Sequence, residues 1–204
     1  MVDYDDELGW VRVDGVISPA AAASIVVSCE AALESIDRDP RVGDKPHAGT
    51  KRLVDVIERV PETSHIPSIL APVLGRIIED DYELVEGTYR CPQPGFGQQR
   101  LHADDVPRLS GRTNLVATAI IPLVDFTGEN GSTRLIPGSN RRPDLQRQSG
   151  TLVSHPDEVR LIGPAGSGFV FCGHVLHSGT ENRSTRPRPA LQFVFRTTRP
   201  GDGR

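Results

Sequence analysis

Gly166-Ser-Gly168-Phe169-Val170-Phe171-Cys172-Gly-His-Val-Leu-His177 is the stretch on which the reading of the fold turns. Phe169 to Cys172 is an unbroken apolar run, too short for a helix and held between glycines, so it reads as a buried strand. Outward from it, further β-branched or aromatic runs lie at Leu84 to Cys91, Leu115 to Leu123, Arg134 to Ile136 and Ala190 to Thr197, separated by Gly, Pro and Asn turns. Several short strands with no helices between them point to a small antiparallel double-sheet architecture, a jelly roll or cupin-like barrel.

The first part of the chain has a different rhythm. Trp10 to Val13 alternates into a turn at Asp14-Gly15, and Ser18-Pro19 offers a helix cap and first helical position. Ala20 to Ile36 carries Ile25, Val26, Cys29, Ala32, Leu33 and Ile36 at helical spacing and must stop before Pro40. Residues 40–51, with two prolines and two glycines, read as a surface loop placed to cover a site. Leu53 to Val60 and Ser68 to Ile78 read as short helices cut apart by Pro61, Pro67 and Pro72. The expected organisation is one domain over residues 1–204, helical over about 1–80 and a barrel over about 82–198, with the helices buttressing a sheet.

Composition limits the partners. A formal net charge of -4 gives no electrostatic reason to approach nucleic acid or anionic lipid, which leaves small molecules. Cys29, Cys91 and Cys172 are odd in number and set in apolar surroundings, which suits reduced thiols of an intracellular protein. No apolar run approaches the roughly 20 residues that span a bilayer, and the opening Met-Val-Asp-Tyr-Asp-Asp-Glu is acidic where a secretory signal is basic, so the expected location is cytoplasmic.

The chemistry lies in Leu101-His102-Ala-Asp104-Asp105 and in His177. Residues i and i+2 of an extended strand share a face, so His102 and Asp104 face one way and Ala103 the other. In a barrel, His177 can meet them from across the sheet. Two imidazoles and one carboxylate bind a divalent transition metal on one face and leave the opposite positions open, which suits non-haem Fe(II) oxygen chemistry. His155-Pro-Asp157 repeats the pair, but Pro156 removes a ladder donor and suits a loop, so it is read as a decoy. Asp105 would point opposite to the pair, toward solvent, an arginine or substrate at the rim, and His174 would face elsewhere as a structural residue.

Four segments carry a likeness to a known family: Gln99 to Asp104; Glu129-Asn130-Gly131 through Thr133 to Pro137-Gly138-Ser139-Asn140; the Gly166-to-Phe171 strand; and His177 through Arg188. In this order they resemble the phytanoyl-CoA dioxygenase family of Fe(II)- and 2-oxoglutarate-dependent oxygenases. The resemblance implies a double-stranded β-helix. It implies Fe(II) on His102, Asp104 and His177, with 2-oxoglutarate as cosubstrate and O2 as oxidant. It places Arg188, eleven positions after His177, on the far carboxylate of 2-oxoglutarate, which a guanidinium fork meets with two charge-assisted hydrogen bonds. Arg186 competes for that role, Gln99 and Thr133 are further cosubstrate contacts, and Asn182 and Ser184 belong to the intervening turn.

The implied reaction is hydroxylation of a small molecule with decarboxylation of 2-oxoglutarate to succinate; desaturation, epoxidation and cyclisation use the same ligands. Halogenases resembling this pattern carry a small residue in place of the carboxylate, so Asp104 argues against chloride chemistry. Three alternatives stay open: a cupin-like metabolite-binding barrel, a non-oxidative metal-dependent isomerase or hydrolase with zinc on the same ligands, and a degenerate oxygenase kept as a protein-interaction module without turnover. The pocket-shaping loops are placed at 40–51, 92–98, 105–113 and 140–158. Arg108, Arg112, Arg141 and Arg142 lie in or beside them, either solvated or facing a carboxylated or carrier-linked substrate of secondary metabolism.

Overall fold

The computed structural model describes residues 4–35, 49–105, 114–146 and 149–198. Strand β1 (Trp10–Val13) leads into helix α1 (Pro19–Ser35), where the Ser18 hydroxyl accepts the Ala21 amide at 3.1 Å as its cap. Ala22, Ile25 and Cys29, three and four residues apart, bury one face of this helix.

The region expected to hold loop and broken helices is arranged differently. Thr50–Val54 forms β2, paired antiparallel with the end of β3 (Tyr82–Pro92), so Leu53 packs from a strand. Thr50 and Lys51 thus belong to a strand, and residues 40–48 of the expected covering loop lie outside the described residues. After a single turn of helix, α2 (Val56–Arg59), Pro61 opens a 3-10 turn. Helix α3 (Ile66–Ile77) then takes in both remaining prolines. Pro67 sits in its first turn, where no amide partner is lost, and Leu70, Val73, Leu74 and Ile77 bury enough apolar surface to carry Pro72 inside the helix.

The other strands are β4 (Val116–Pro122), β5 (Arg134–Leu135), β6 (Val159–Arg160), β7 (Gly168–Cys172), β8 (His177–Ser178) and β9 (Ala190–Thr197), with a short helix α4 (Pro143–Gln146) before β6. They form a six-stranded sheet in the order β1-β7-β4-β9-β3-β2 and a three-stranded sheet β6-β5-β8, every pairing antiparallel. This is the double-sheet jelly roll that the strand pattern predicts. Phe169, Phe171, Phe193 and Phe195 are all buried, each contributing roughly 1.5–3 kcal/mol of burial.

Alternation along β4 separates its two faces. Ile121 and Leu70 of α3 both approach Gly168, whose missing side chain leaves room for Val16. Ile120 and, two residues earlier, Thr118 therefore point to the opposite side, where Ile120 lines a cleft between the sheets. The Asn130-Gly131 turn does not join two paired strands, because β5 pairs with β6 and β8. Gly131 has φ 80°, and a Cβ there would lie 2.6 Å from the Thr180 carbonyl oxygen. Among the described residues, no helix is long and apolar enough to cross a membrane.

Candidate active site

The residues preceding Asp105 form an irregular extended segment, not the regular strand expected, with one isolated antiparallel bridge between His102 and His177. Backbone bonds still tie the segment to the chain around β8. The Gln99 amide donates to Gly179, His102 and His177 exchange bonds of 3.0 and 2.8 Å, and the Asp105 amide donates to Gly173. His102 is thereby fixed at the edge of the small sheet, beside His177, which pairs on its other side with Leu135 of β5. Ala103 turns away into a small apolar cluster with Leu101, Ile136, Leu145 and Leu176.

His102, Asp104 and His177 each present a ligand atom within 4.8 Å of the others. Asp104 Oδ1 lies 3.8 Å from His102 Nε2, and Oδ2 lies 3.6 Å from His177 Nε2. The Nδ1 atoms of both rings face backbone carbonyls two residues upstream, Arg100 at 2.8 Å and Val175 at 3.0 Å. A proton on Nδ1 satisfies both contacts and leaves each Nε2 lone pair pointing at the cluster, the tautomer a metal requires. Phe171 packs on the His177 ring at 4.5 Å between centroids.

The protonation states agree with that role. Burial holds the His177 pKa below its ordinary value, against the pull of Asp104, so the ring is neutral. Burial alone would raise the Asp104 pKa, but His177, the Thr118 hydroxyl, His102 and Arg90 together bring it below the ordinary value, so it is ionised. Thr118 donates to Asp104 Oδ2 at 2.6 Å.

The two imidazoles open into a small cleft, continuous with solvent, that is also lined by Gln99, Thr133 and Arg188. Arg188 is 6% exposed and sits just before β9, its amide bonded to Pro92 and its guanidinium 4.8 Å above the Phe126 ring. Its Nε is buried without a hydrogen-bond partner, and no acidic residue among the described ones pairs with it. Burial first, then Arg90, pushes its pKa down to about 10. Arg186 is exposed, and its carbonyl accepts from Asn182 at 2.7 Å. Asn182 and Ser184 bond to each other in the turn, as expected. Gln99 lines the cleft while accepting the Gly179 amide at 3.0 Å.

Other candidates fall away from the cluster. His155 accepts the Asp157 amide in a surface turn. The Asp105 carboxylate is largely withdrawn from solvent, 3.8 Å from His174 Nε2. Arg141 pairs with Asp6 and Arg142 with Asp144 on the surface, while Arg108 and Arg112 lie outside the described residues. Thr118, Arg90 and Gln192 were not singled out from sequence; Arg90 and Gln192 line the cleft, joined by a 3.1 Å hydrogen bond. The available signal was a polar or charged residue inside an apolar run, Thr118 within β4 and Arg90 between Tyr89 and Cys91.

Residues 6–190 match the profile of the phytanoyl-CoA dioxygenase (PhyH) family. The chain belongs to this family. Among PhyH relatives it is 31% identical to dioxygenase sphC of Aspergillus fumigatus, over 92% of this chain and 56% of sphC. It is 26% identical to the multifunctional dioxygenase ausE of Emericella nidulans, over 95% of this chain and 72% of ausE. The chain thus spans little more than half the length of sphC. Solved structures share the fold. The alpha ketoglutarate dependent carbocyclase SnoK from nogalamycin biosynthesis superposes with TM-score 0.73 at 20% identity, over 94% of this chain and 81% of SnoK. HygX from Streptomyces hygroscopicus, with nickel, 2-oxoglutarate and hygromycin B bound, superposes with TM-score 0.72 at 18% identity, over 95% and 84%.

Proposed function

We propose that this PhyH-family chain is an Fe(II)- and 2-oxoglutarate-dependent oxygenase, one cytoplasmic domain that hydroxylates a small molecule. One O2 and one 2-oxoglutarate are consumed per turnover, one oxygen atom entering the product and the other the succinate formed with CO2. The observation that carries this reading is that a His-Asp-His cluster, His102, Asp104 and His177, adjoins one cleft with a buried guanidinium lacking an acidic partner among the described residues.

The donor set fits a divalent metal, since both Nε2 lone pairs and a carboxylate converge while the cleft side stays open. Bound there by His102, Asp104 and His177, ferrous iron would supply the redox chemistry that activates O2. Arg188 fits a dicarboxylate: a buried, unpaired cation is costly, and the far carboxylate of 2-oxoglutarate offsets that cost while fixing the cosubstrate's direction. Thr133 and Gln99 stand on the cleft wall to orient it, and Phe171 excludes water behind His177. An aspartate at 104, where halogenases of this pattern carry a small residue, supports oxygen insertion over chloride chemistry. The names of relatives and neighbours, a nogalamycin carbocyclase and a hygromycin B complex among them, support a tailoring role on a secondary metabolite.

Mixing protein, Fe(II) and 2-oxoglutarate without oxygen tests this reading, because a bidentate keto acid on ferrous iron gives a weak visible charge-transfer band. The band is expected in the wild type and absent in His177→Ala. A wild-type protein without the band, or one forming no succinate when oxygen is admitted, overturns the proposal.

A further inference from the structure

We propose that Thr118 is a positioning residue for the metal centre: its hydroxyl holds Asp104 Oδ2 so that the carboxylate offers the metal its other oxygen alone. This inference rests on the reading of His102, Asp104 and His177 as metal ligands.

Thr118 is the one polar side chain in Val116–Pro122, a strand buried along its whole length in the middle of the large sheet. It is paired with Phe171 on one side and Val194 on the other, and its exposure is 0%. A hydroxyl in that setting costs free energy unless it is hydrogen-bonded, and a valine would pack there without that cost. Its hydrogen bond goes to Asp104 Oδ2 at 2.6 Å, a short bond of the hydroxyl-to-carboxylate kind.

The geometry gives the bond a specific consequence. Asp104 sits on an irregular segment and makes no ladder bond of its own, so little in the backbone sets the rotation of its carboxylate. β4 is held by β7 and β9 on both sides and therefore supplies a rigid reference. Oδ1 faces His102 Nε2 at 3.8 Å, while Oδ2, 3.6 Å from His177 Nε2, is the oxygen whose lone pair the β4 hydroxyl takes up. A carboxylate held by one oxygen occupies one coordination position, whereas a freely turning one can chelate through both and take a second position needed by cosubstrate or O2. Such outer-shell partners commonly change metal affinity by about 10–100-fold when removed.

The test titrates Co(II) into the metal-free protein, reading both affinity and the visible ligand-field spectrum, for the wild type, Thr118→Val, Thr118→Ser and Asp104→Ala. Thr118→Val is expected to bind Co(II) about 10–100-fold more weakly with an altered spectrum, and Thr118→Ser to restore both. A threonine needed only for packing predicts the reverse: wild-type affinity and spectrum in the valine variant and a stability loss in the serine variant. That outcome overturns the inference. If Asp104→Ala binds Co(II) as the wild type does, the metal-site reading itself fails; if Asp104→Ala loses binding while Thr118→Val keeps it, only the role of Thr118 fails. Should the valine variant not fold, a crystal structure of the wild type with Co(II) decides: Asp104 monodentate and bonded to Thr118 supports the inference, a bidentate Asp104 with Thr118 turned away overturns it.

Discussion

Arg188 makes the metal-free protein less stable than it need be, and Arg188→Met should show it. The residue is 6% exposed with no acidic partner among the described residues, and its pKa is pushed from 12.5 down to about 10, chiefly by burial. That depression corresponds to roughly 3 kcal/mol against the charged form at neutral pH. Contact with the Phe126 face returns about 1 kcal/mol. Methionine fills much of the space without the charge, so the metal-free variant should gain about 2 kcal/mol, or about 4–8 °C in melting temperature for a chain of this size. The gain must reverse when ligands are added. Wild-type protein with metal and 2-oxoglutarate at about 100 times its Kd should gain about 3 kcal/mol. The variant, lacking a buried charge pair worth about 2–4 kcal/mol, should need roughly 30–1,000 times more cosubstrate. Differential scanning fluorimetry with and without Co(II) and 2-oxoglutarate measures both effects. A variant less stable without ligands and stabilised by 2-oxoglutarate as strongly as the wild type would refute the assignment of this guanidinium.

Three further outcomes follow from the packing around the cleft. Arg134, buried on β5, donates to Ser178 and Glu158 at 2.8 Å each and to the Leu152 and Val153 carbonyls; Arg134→Met should cost about 3 kcal/mol in urea denaturation because Glu158 loses its closest cation. Gly131→Ala, forced into φ 80° with its Cβ 2.6 Å from the Thr180 oxygen, should cost at least about 2 kcal/mol in the same assay, and a neutral effect would show that the 180–182 turn yields easily. Burial raises the thiols of Cys29 to about 12 and Cys172 to about 11 and also raises Cys91, so a thiol reagent at pH 8 should label none of the three before unfolding.

Much of this could be read from the chain because its signals were local. The apolar run Phe169 to Cys172 and the runs that became β3, β4 and β9 needed only alternation and turn residues to be placed. His102 and His177 meet through their backbone bridge at the edge of the small sheet, with Asp104 tied to Thr118 of the large one, and of the two arginines Arg188 is the one buried along the cleft while Arg186 is exposed. What sequence missed depended on long-range pairing. Thr50–Val54 has no strong strand pattern and becomes a strand by pairing with the end of β3. Pro72 argued for a break, but the burial of Leu70, Val73 and Leu74 outweighed it. Thr118 and Arg90 became part of the site only through their sheet neighbours, and the approach of Asp105 to His174 at 3.8 Å is a pairing no spacing rule foretells.

A crystal structure of the protein grown without oxygen in Fe(II) and 2-oxoglutarate, read from the iron anomalous signal, tests the central claim most directly. The account predicts one iron bound by Nε2 of His102, Nε2 of His177 and a single oxygen of Asp104, with the cosubstrate's far carboxylate on Arg188. Iron bound elsewhere, or a cosubstrate that leaves Arg188 untouched, would contradict it.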